Sequence, residues 1–578
     1  MRTIAFRPSR RVFLSASTAF LGLGVLATGS AASAQGTSCS PGTVAALNIP
    51  GVTIVSATDV PAAAPNPEYC AVIGTLNTSG HQTPPGSAGF EVRLPTASWN
   101  GKFLFFGVGG LAGSTYAGLA ANPVDVAQAL VKGYATAITD TGHLGGGTDA
   151  SWALIRPDVP DRAKVADYYY RATHEVTVAA KALVEAFYGQ EISYAYFDGC
   201  SNGGHQAMME ASDYPNDYDG IVAGAPFFDA RSILQGTHFA KQLLSSPDAY
   251  LQAGLLPIVD KAIAASCDAT DGAGDGLIQN PAACSFDASS LICTAGQTAD
   301  CLTEQQATTL NTYFTATRDE QGRLVHTGFS VSNLTGGFDS WTLGLVPPTS
   351  FTDAEPWGNA GFSPSPIGWQ FADHFIKYLV TRDPTFPLLN YPISSAGIID
   401  SQTLALFDSR LNQVFTPSRE GGFTPSARDY APFLQQQRKL LIYHGFSDQA
   451  LSPFRTIKLY EQLARLVSGG YGELGETVRL FMVPGMQHCG GGPGPNLFDT
   501  LTSLEQWVEN GVAPDSIIAS HHVGNDPSQS VDRTMPLCKF PEAAKYSGSG
   551  DVNDAANWSC TANKDLLKVG SNGTQAGL

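Results

Sequence analysis

The chain has 578 residues, 43% of them hydrophobic and 15% charged, enough to bury a large core and more than one structural unit. Its formal charge of −18 argues against nucleic acid or an anionic membrane surface as a partner, because both need a basic face. The 61 glycines imply many tight turns, and no repeat array or low-complexity tract interrupts an ordinary globular composition.

The N-terminus reads as an address. Arg2, Arg7, Arg10 and Arg11 precede an apolar run from Ala19 to Ala27, and Ala32-Ser33-Ala34 offers a small-residue cleavage site. Ser9-Arg10-Arg11-Val12-Phe13-Leu14 matches a twin-arginine export signal. Residues 1–34 are therefore expected to be a signal peptide, with Gln35 the first mature residue and a periplasmic or secreted product. The apolar run is too short for a membrane anchor, and no later stretch is a candidate span. Cleavage removes four arginines and no acid, so the mature chain is more acidic still. All ten cysteines follow the signal. In an oxidising compartment this even number suggests five disulfides, but spacing alone leaves their connectivity open.

Residues 35 to about 100 read as β-rich, with strands over 52–55, 69–75 and 90–94 separated by Pro/Gly turns. From about 101 the pattern becomes strand, then helix. Short apolar runs at 102–108 and 135–139 are of the buried parallel type. A long helix is expected over 161–188, a strand at 194–197, a helix over 203–212 and a strand at 221–224. The alternation stops from about 230 to 430, where four cysteines and an aromatic-rich middle lie (Trp341, Trp357, Trp369, Phe371, Phe375, Tyr378). It resumes with a strand at 439–443, a helix over 453–467, a strand at 478–483 and a helix over 498–510. This predicts an α/β fold. Residues 35–229 and 431–578 form the layered domain, and 230–430 an inserted lid over the strand ends.

Gly199-Cys200-Ser201-Asn202-Gly203 matches G-x-S-x-G between a predicted strand and a predicted helix, the context of a nucleophile elbow. The acid and the base should follow in that order. Asp448 lies in a loop just past the 439–443 strand, and His488 lies in a Gly-rich loop after the 478–483 strand. Ser201, Asp448 and His488 are thus the candidate triad, on an α/β-hydrolase core. His444, the rival histidine, precedes the acid and reads as structural. The oxyanion donors are expected at Asn202, after the nucleophile, and at Gly110, in the Gly107-Val108-Gly109-Gly110 loop. Cys200 adjoins the serine and Cys489 the histidine, so a hydrogen-bonded Ser–His pair would bring both sulfurs within bridging distance.

Residues 267–278 pack three aspartates and three glycines into one loop, which suits a hard, oxygen-ligated cation. Position 282 is Ala, so the loop lacks the closing Glu of an EF-hand. A structural Ca2+ is expected, held by side chains of Asp268, Asp271 and Asp275 and by the carbonyls of Ala273 and Leu277.

The stretches from Tyr196 to Gly204 and from Tyr214 to Pro226, the Asp448 turn, Pro484-Gly485-Met486-Gln487-His488-Cys489 and the Asp-rich loop together resemble the tannase and feruloyl esterase family, which includes the mono(2-hydroxyethyl) terephthalate hydrolases. The resemblance covers nearly the whole mature chain. It implies an α/β-hydrolase with a calcium-bearing lid and a Cys200–Cys489 bridge, and the pairs Cys39–Cys70, Cys267–Cys284, Cys293–Cys301 and Cys538–Cys560. His205 stands where Arg is frequent in the family. Leu451 stands where the terephthalate-monoester enzymes carry an aromatic wall. The expected activity is hydrolysis of small aromatic esters, feruloyl or galloyl, by a serine esterase. The alternatives are a terephthalate-monoester hydrolase, and a non-catalytic, calcium-stabilised binding protein on the same scaffold.

Overall fold

The structure is a computed structural model that describes residues 38–80, 82–358, 364–412 and 423–563. The expected signal peptide lies outside the described residues. Nine strands form one sheet: β1 (Val52–Val60), β2 (Tyr69–Gly80), β3 (Thr83–Pro95), β4 (Lys102–Phe106), β5 (Ala135–Thr139), β6 (Tyr194–Cys200), β7 (Gly220–Gly224), β8 (Lys439–Gly445) and β9 (Val478–Val483). Their order is β1-β2-β3-β5-β4-β6-β7-β8-β9. β1, β2 and β3 pair antiparallel, as do β3 and β5, and the other neighbours pair parallel.

The parallel strands are short, apolar and buried on both faces because helices cover both. Along β4, Phe103 and Phe105 face one core while Leu104 and Phe106 face the other. On the first side pack α1 (Ala172–Tyr188), α2 (Asn202–Asp213) and α4 (Pro453–Ala464). On the second lie α5 (Thr500–Asn510) and the inserted segment that begins with α3 (Ser232–Leu243).

The β1–β3 strands run well past the predicted ends. Their alternating burial continues through polar residues, which carry no apolar signal of their own. The expected 161–188 helix is interrupted by a π-turn over Asp167–Arg171. There a fully buried Asp167–Arg171 pair, 2.6 Å apart, also binds Thr78, Thr83 and the Pro84 carbonyl of the β2–β3 hairpin.

The insertion lies between the end of β7 and the start of β8. It has its own apolar core, around Phe239, Leu310, Phe314 and Phe338, and a small sheet of Thr317–Asp319, Leu324–His326 and Ile398–Ile399. By Ala427 and Tyr430 the chain has rejoined the core beside α4. Two C-terminal hairpins, Ser516–His522 with Val531–Cys538 and Glu542–Tyr546 with Trp558–Ala562, were not expected. Pro536 sits inside one of these strands, opposite Ile518, and an internal proline reads against a strand. Among the described residues no helix is long and apolar enough to cross a membrane. All five disulfides are formed, in the pairs named above.

Candidate active site

The Ser201 backbone has φ 62° and ψ −122°, between the last residue of β6 and the first of α2. Such a conformation is costly for a side chain, so the surroundings must hold it. Ser201 N–H donates to the Gly224 carbonyl at 3.0 Å, and its own carbonyl accepts from Phe227 at 2.9 Å. The turn closes only because glycines meet there. A Cβ on Gly107 would lie 2.5 Å from Gly203 Cα, and one on Gly199 would lie 2.3 Å from the Gly203 carbonyl oxygen.

The three candidate triad residues meet. His488 Nε2 lies 2.8 Å from Ser201 Oγ, and His488 Nδ1 lies 2.8 Å from Asp448 Oδ2. Asp448 Oδ1 accepts two backbone N–H groups, from Ala450 and Leu451, both at 2.8 Å. Burial alone would raise the Asp448 pKa. The facing His488 and His444 overcome that, and the carboxyl is held well below the usual carboxylate range. The two imidazoles thus favour its ionised form. The Cys200–Cys489 bridge, with Cα atoms 5.9 Å apart, joins the residues flanking serine and histidine.

His444 also contacts the acid. Its Nε2 lies 3.1 Å from Asp448 Oδ2, the oxygen that also meets His488, and its Nδ1 lies 2.8 Å from Thr456 Oγ1. Two further residues stand beside His488. Gln449 accepts the His488 backbone N–H at 3.2 Å, and the Trp341 ring of the insertion packs 5.3 Å from the His488 ring. His205 is fully buried, its Nε2 3.0 Å from the Tyr169 carbonyl oxygen and its ring stacked on Phe423 at 4.2 Å.

Ser201 and His488 open into a cleft that Gly110 and Asn202 also line. The Asn202 side chain donates to the Val108 carbonyl at 3.0 Å, and Gln206 accepts the Val108 N–H at 3.0 Å. The 107–110 loop and the start of α2 are thereby held in fixed register. Trp341, Phe371 and Leu451 stand on the facing walls.

The Asp-rich loop packs against the C-terminal hairpins, and its Leu277 side chain reaches Gly485 in the loop that carries His488. Ala273 and Leu277 pack with Met535 and Trp558. Asp268 accepts the backbone N–H groups of Asp275 and Gly276, and the Asp268 and Asp275 carboxyls are in contact. Burial raises the Asp275 pKa. Arg533, 3.1 Å away, works against the rise, and neighbouring Asp268 adds to it. Two carboxyls in contact are the kind of ligands a hard divalent cation takes. The Asp271 side chain lies outside the described residues, and Arg533 is a counter-charge that the loop motif gave no hint of.

A family model described as tannase and feruloyl esterase matches residues 70–561. The chain belongs to this family. It is a carboxylic ester hydrolase by that membership. Among its relatives, a mono(2-hydroxyethyl) terephthalate hydrolase of Piscinibacter sakaiensis is 32% identical, with 86% of each chain covered. A probable feruloyl esterase of Arthroderma benhamiae is 30% identical over 81% of this chain and 82% of its own. The crystal structure of feruloyl esterase B from Aspergillus oryzae superposes with a TM-score of 0.70 at 25% identity, covering 89% of this chain and 98% of that one. The α/β-hydrolase type of fold is thus shared along nearly the whole length of these relatives.

Proposed function

We propose that this protein hydrolyses esters of aromatic carboxylic acids through an acyl-enzyme formed on Ser201. The observation that carries the reading is the unbroken Ser201–His488–Asp448 hydrogen-bond chain opening into an aromatic cleft. His488 Nε2 takes the serine proton as Oγ attacks the ester carbonyl, and returns it to the leaving alcohol. Water, deprotonated by the same nitrogen, then releases the acid and restores the serine. Asp448 fixes the imidazole tautomer and balances the imidazolium charge. The backbone N–H groups of Gly110 and Asn202 are assigned to the developing oxyanion, where each such donor typically contributes ~3 kcal/mol. A feruloyl or galloyl acid side is favoured, by the family and by the aromatic lining.

The Asp-rich loop is assigned a structural Ca2+, with Asp268, Asp271 and Asp275 as charged ligands and the carbonyls of Ala273 and Leu277 completing the set. It would hold the lid to the C-terminal hairpins and take no part in the chemistry. Five disulfides and the N-terminal signal pattern support export.

The test is turnover of methyl ferulate, methyl gallate and a terephthalate monoester by the wild type and by Ser201→Ala. At least one ester should be cleaved by the wild type, with kcat lowered by ~10⁴ or more in the variant. Turnover that survives the substitution would remove Ser201 as nucleophile. A wild type inert on all three would favour a binding role.

A further inference from the structure

The loop assigned to the oxyanion follows β4, and the neighbouring strand β5 ends in a second loop that zips against it. Gly113 N–H donates to the Asp140 carbonyl and Gly145 N–H to the Gly113 carbonyl, both at 3.1 Å. Within the first loop, Ala112 N–H donates to the Gly109 carbonyl at 3.1 Å and closes a turn over Gly110 and Leu111. That carbonyl points into the turn, so the N–H across the same trans peptide, that of Gly110, points out of it. Gly110 has φ 61°, and a Cβ there would lie 2.2 Å from the Gly147 carbonyl oxygen, so only glycine fits.

The soft coordinate of such a turn is rotation of its central peptide, which exchanges one turn type for another with little change in chain direction. Here that peptide is held at both ends. Tyr168 Oη donates to the Gly110 carbonyl at 3.1 Å, and Leu111 N–H donates to the Gly147 carbonyl at 2.6 Å. The next carbonyl, that of Leu111, meets His143 Nε2 at 2.9 Å. A carbonyl oxygen only accepts, so Nε2 carries the ring proton. Burial pushes the His143 pKa down to about 4 and pushes that of Tyr168 up. The imidazole therefore stays neutral and the phenol keeps its proton. The two rings meet edge to face at 6.2 Å, and Trp152 stacks on His143 at 4.0 Å. Tyr168 belongs to the π-turn at Asp167–Arg171, whose extra residue resets the helical register. Gly142, next to His143, packs on that turn: a Cβ on it would lie 2.4 Å from Asp167 Cβ. Neither Tyr168 nor His143 is among the described residues that line the cleft, so both act through the loop.

We infer that Tyr168 and His143 are positioning residues of the oxyanion hole. By fixing two successive carbonyls from behind, they keep the Gly110 N–H aimed while the ester carbon becomes tetrahedral. Their contribution is to the transition state and not to ground-state binding. The inference rests on the esterase reading above, with Gly110 as a donor, and deepens it.

The experiment uses Tyr168→Phe, which keeps the ring and removes the hydroxyl, with 4-nitrophenyl acetate as substrate. Phenyl trifluoromethyl ketone adds to a serine hydroxyl and leaves an oxyanion, so its Ki reports the oxyanion hole. Acetophenone does not add and reports binding alone. In Tyr168→Phe, kcat/KM should fall by ~10-fold, part of the ~10²–10³ that loss of a whole donor costs. The trifluoromethyl ketone Ki should rise by the same factor and the acetophenone Ki should stay put. His143→Leu should behave likewise, and His143→Gln, which keeps an N–H donor, should recover most of the loss. Tyr170→Phe removes a hydroxyl of the same π-turn that faces Thr83 instead, and should spare all three readings. Wild-type kcat/KM and ketone Ki in a folded Tyr168→Phe would overturn the inference. So would an equal loss in Tyr170→Phe, or a parallel loss of acetophenone affinity, because either marks general softening of the fold. Should Tyr168→Phe not fold, the His143 pair decides: Gln no better than Leu overturns the inference. A wild type that leaves the ester intact, or cleavage persisting in Ser201→Ala, would instead remove the esterase reading and the oxyanion hole with it.

Discussion

Replacing both members of the Cys200–Cys489 bridge by alanine should cost stability and rate together. The bridge closes a loop of 289 residues, so in the chain-entropy picture it removes more freedom from the unfolded state than any other bridge here. That picture gives about 5–6 kcal/mol for a loop this long, and native bridges commonly yield ~2–5. A chain with roughly 500 ordered residues unfolds with an entropy near ~1 kcal/mol per kelvin, so the loss should appear as a drop of about 2–5 °C in Tm. The rate effect is separate. Cys489 has φ 62° and Ser201 also has φ 62°, so both flanks of the Ser–His contact hold uncommon backbone conformations. Without the link the histidine loop gains freedom, and an error of about 1 Å in the 2.8 Å contact costs ~10²-fold. The assay is thermal unfolding by circular dichroism beside kcat on a chromogenic ester. Cys39→Ala/Cys70→Ala, whose loop is 31 residues, serves as a comparison that should spare kcat. Unchanged kcat and Tm in Cys200→Ala/Cys489→Ala would refute the view that this bridge clamps the site.

His444→Phe removes one of the two imidazoles on Asp448 and should lower kcat by ~10-fold while leaving KM nearly unchanged, because it touches the acid and not the substrate. His444→Gln, which can still donate, should recover part of the loss, and steady-state kinetics on one ester reads both. Chelation should lower Tm by about 2–3 °C and added Ca2+ should restore it, with Asp275→Asn blunting the response; a Tm indifferent to chelator speaks against the calcium assignment. Asp125 is fully buried, and burial pushes its pKa up to about 7 although Thr500 donates to it. A raised acid favours the folded state only while protonated, so its contribution falls as pH rises from the unfolded value near ~4 through about 7. Asp125→Asn should therefore gain stability relative to the wild type across that window and level off above it, as denaturant melts at several pH values would show. A constant difference would contradict the buried, protonated aspartate.

The order of strands and helices was legible because buried parallel strands are short apolar runs and their helices carry apolar residues at helical spacing. The triad was legible because each member sits in a loop immediately after such a strand, and G-x-S-x-G has a steric meaning: Gly199 and Gly203 stand where no Cβ fits. The adjacency of Cys200 to Ser201 and of Cys489 to His488 carried one long-range contact in plain view. These are local chemical signals, and the chain alone determined them.

Contacts between segments with no local mark of their own needed the fold. His444 sits four residues before Asp448 on a strand end, and only the turn after β8 brings its ring onto the same carboxylate oxygen. Trp341 and Phe371 are two aromatics among many in the insertion. They become cleft walls because the fold lays Trp341 against His488 and Phe371 against Trp341. Arg533 comes from a hairpin that its own proline disguised, 258 residues from its partner Asp275. Which side chains share one cavity is likewise decided by walls assembled from distant segments, and sequence spacing carries no record of it.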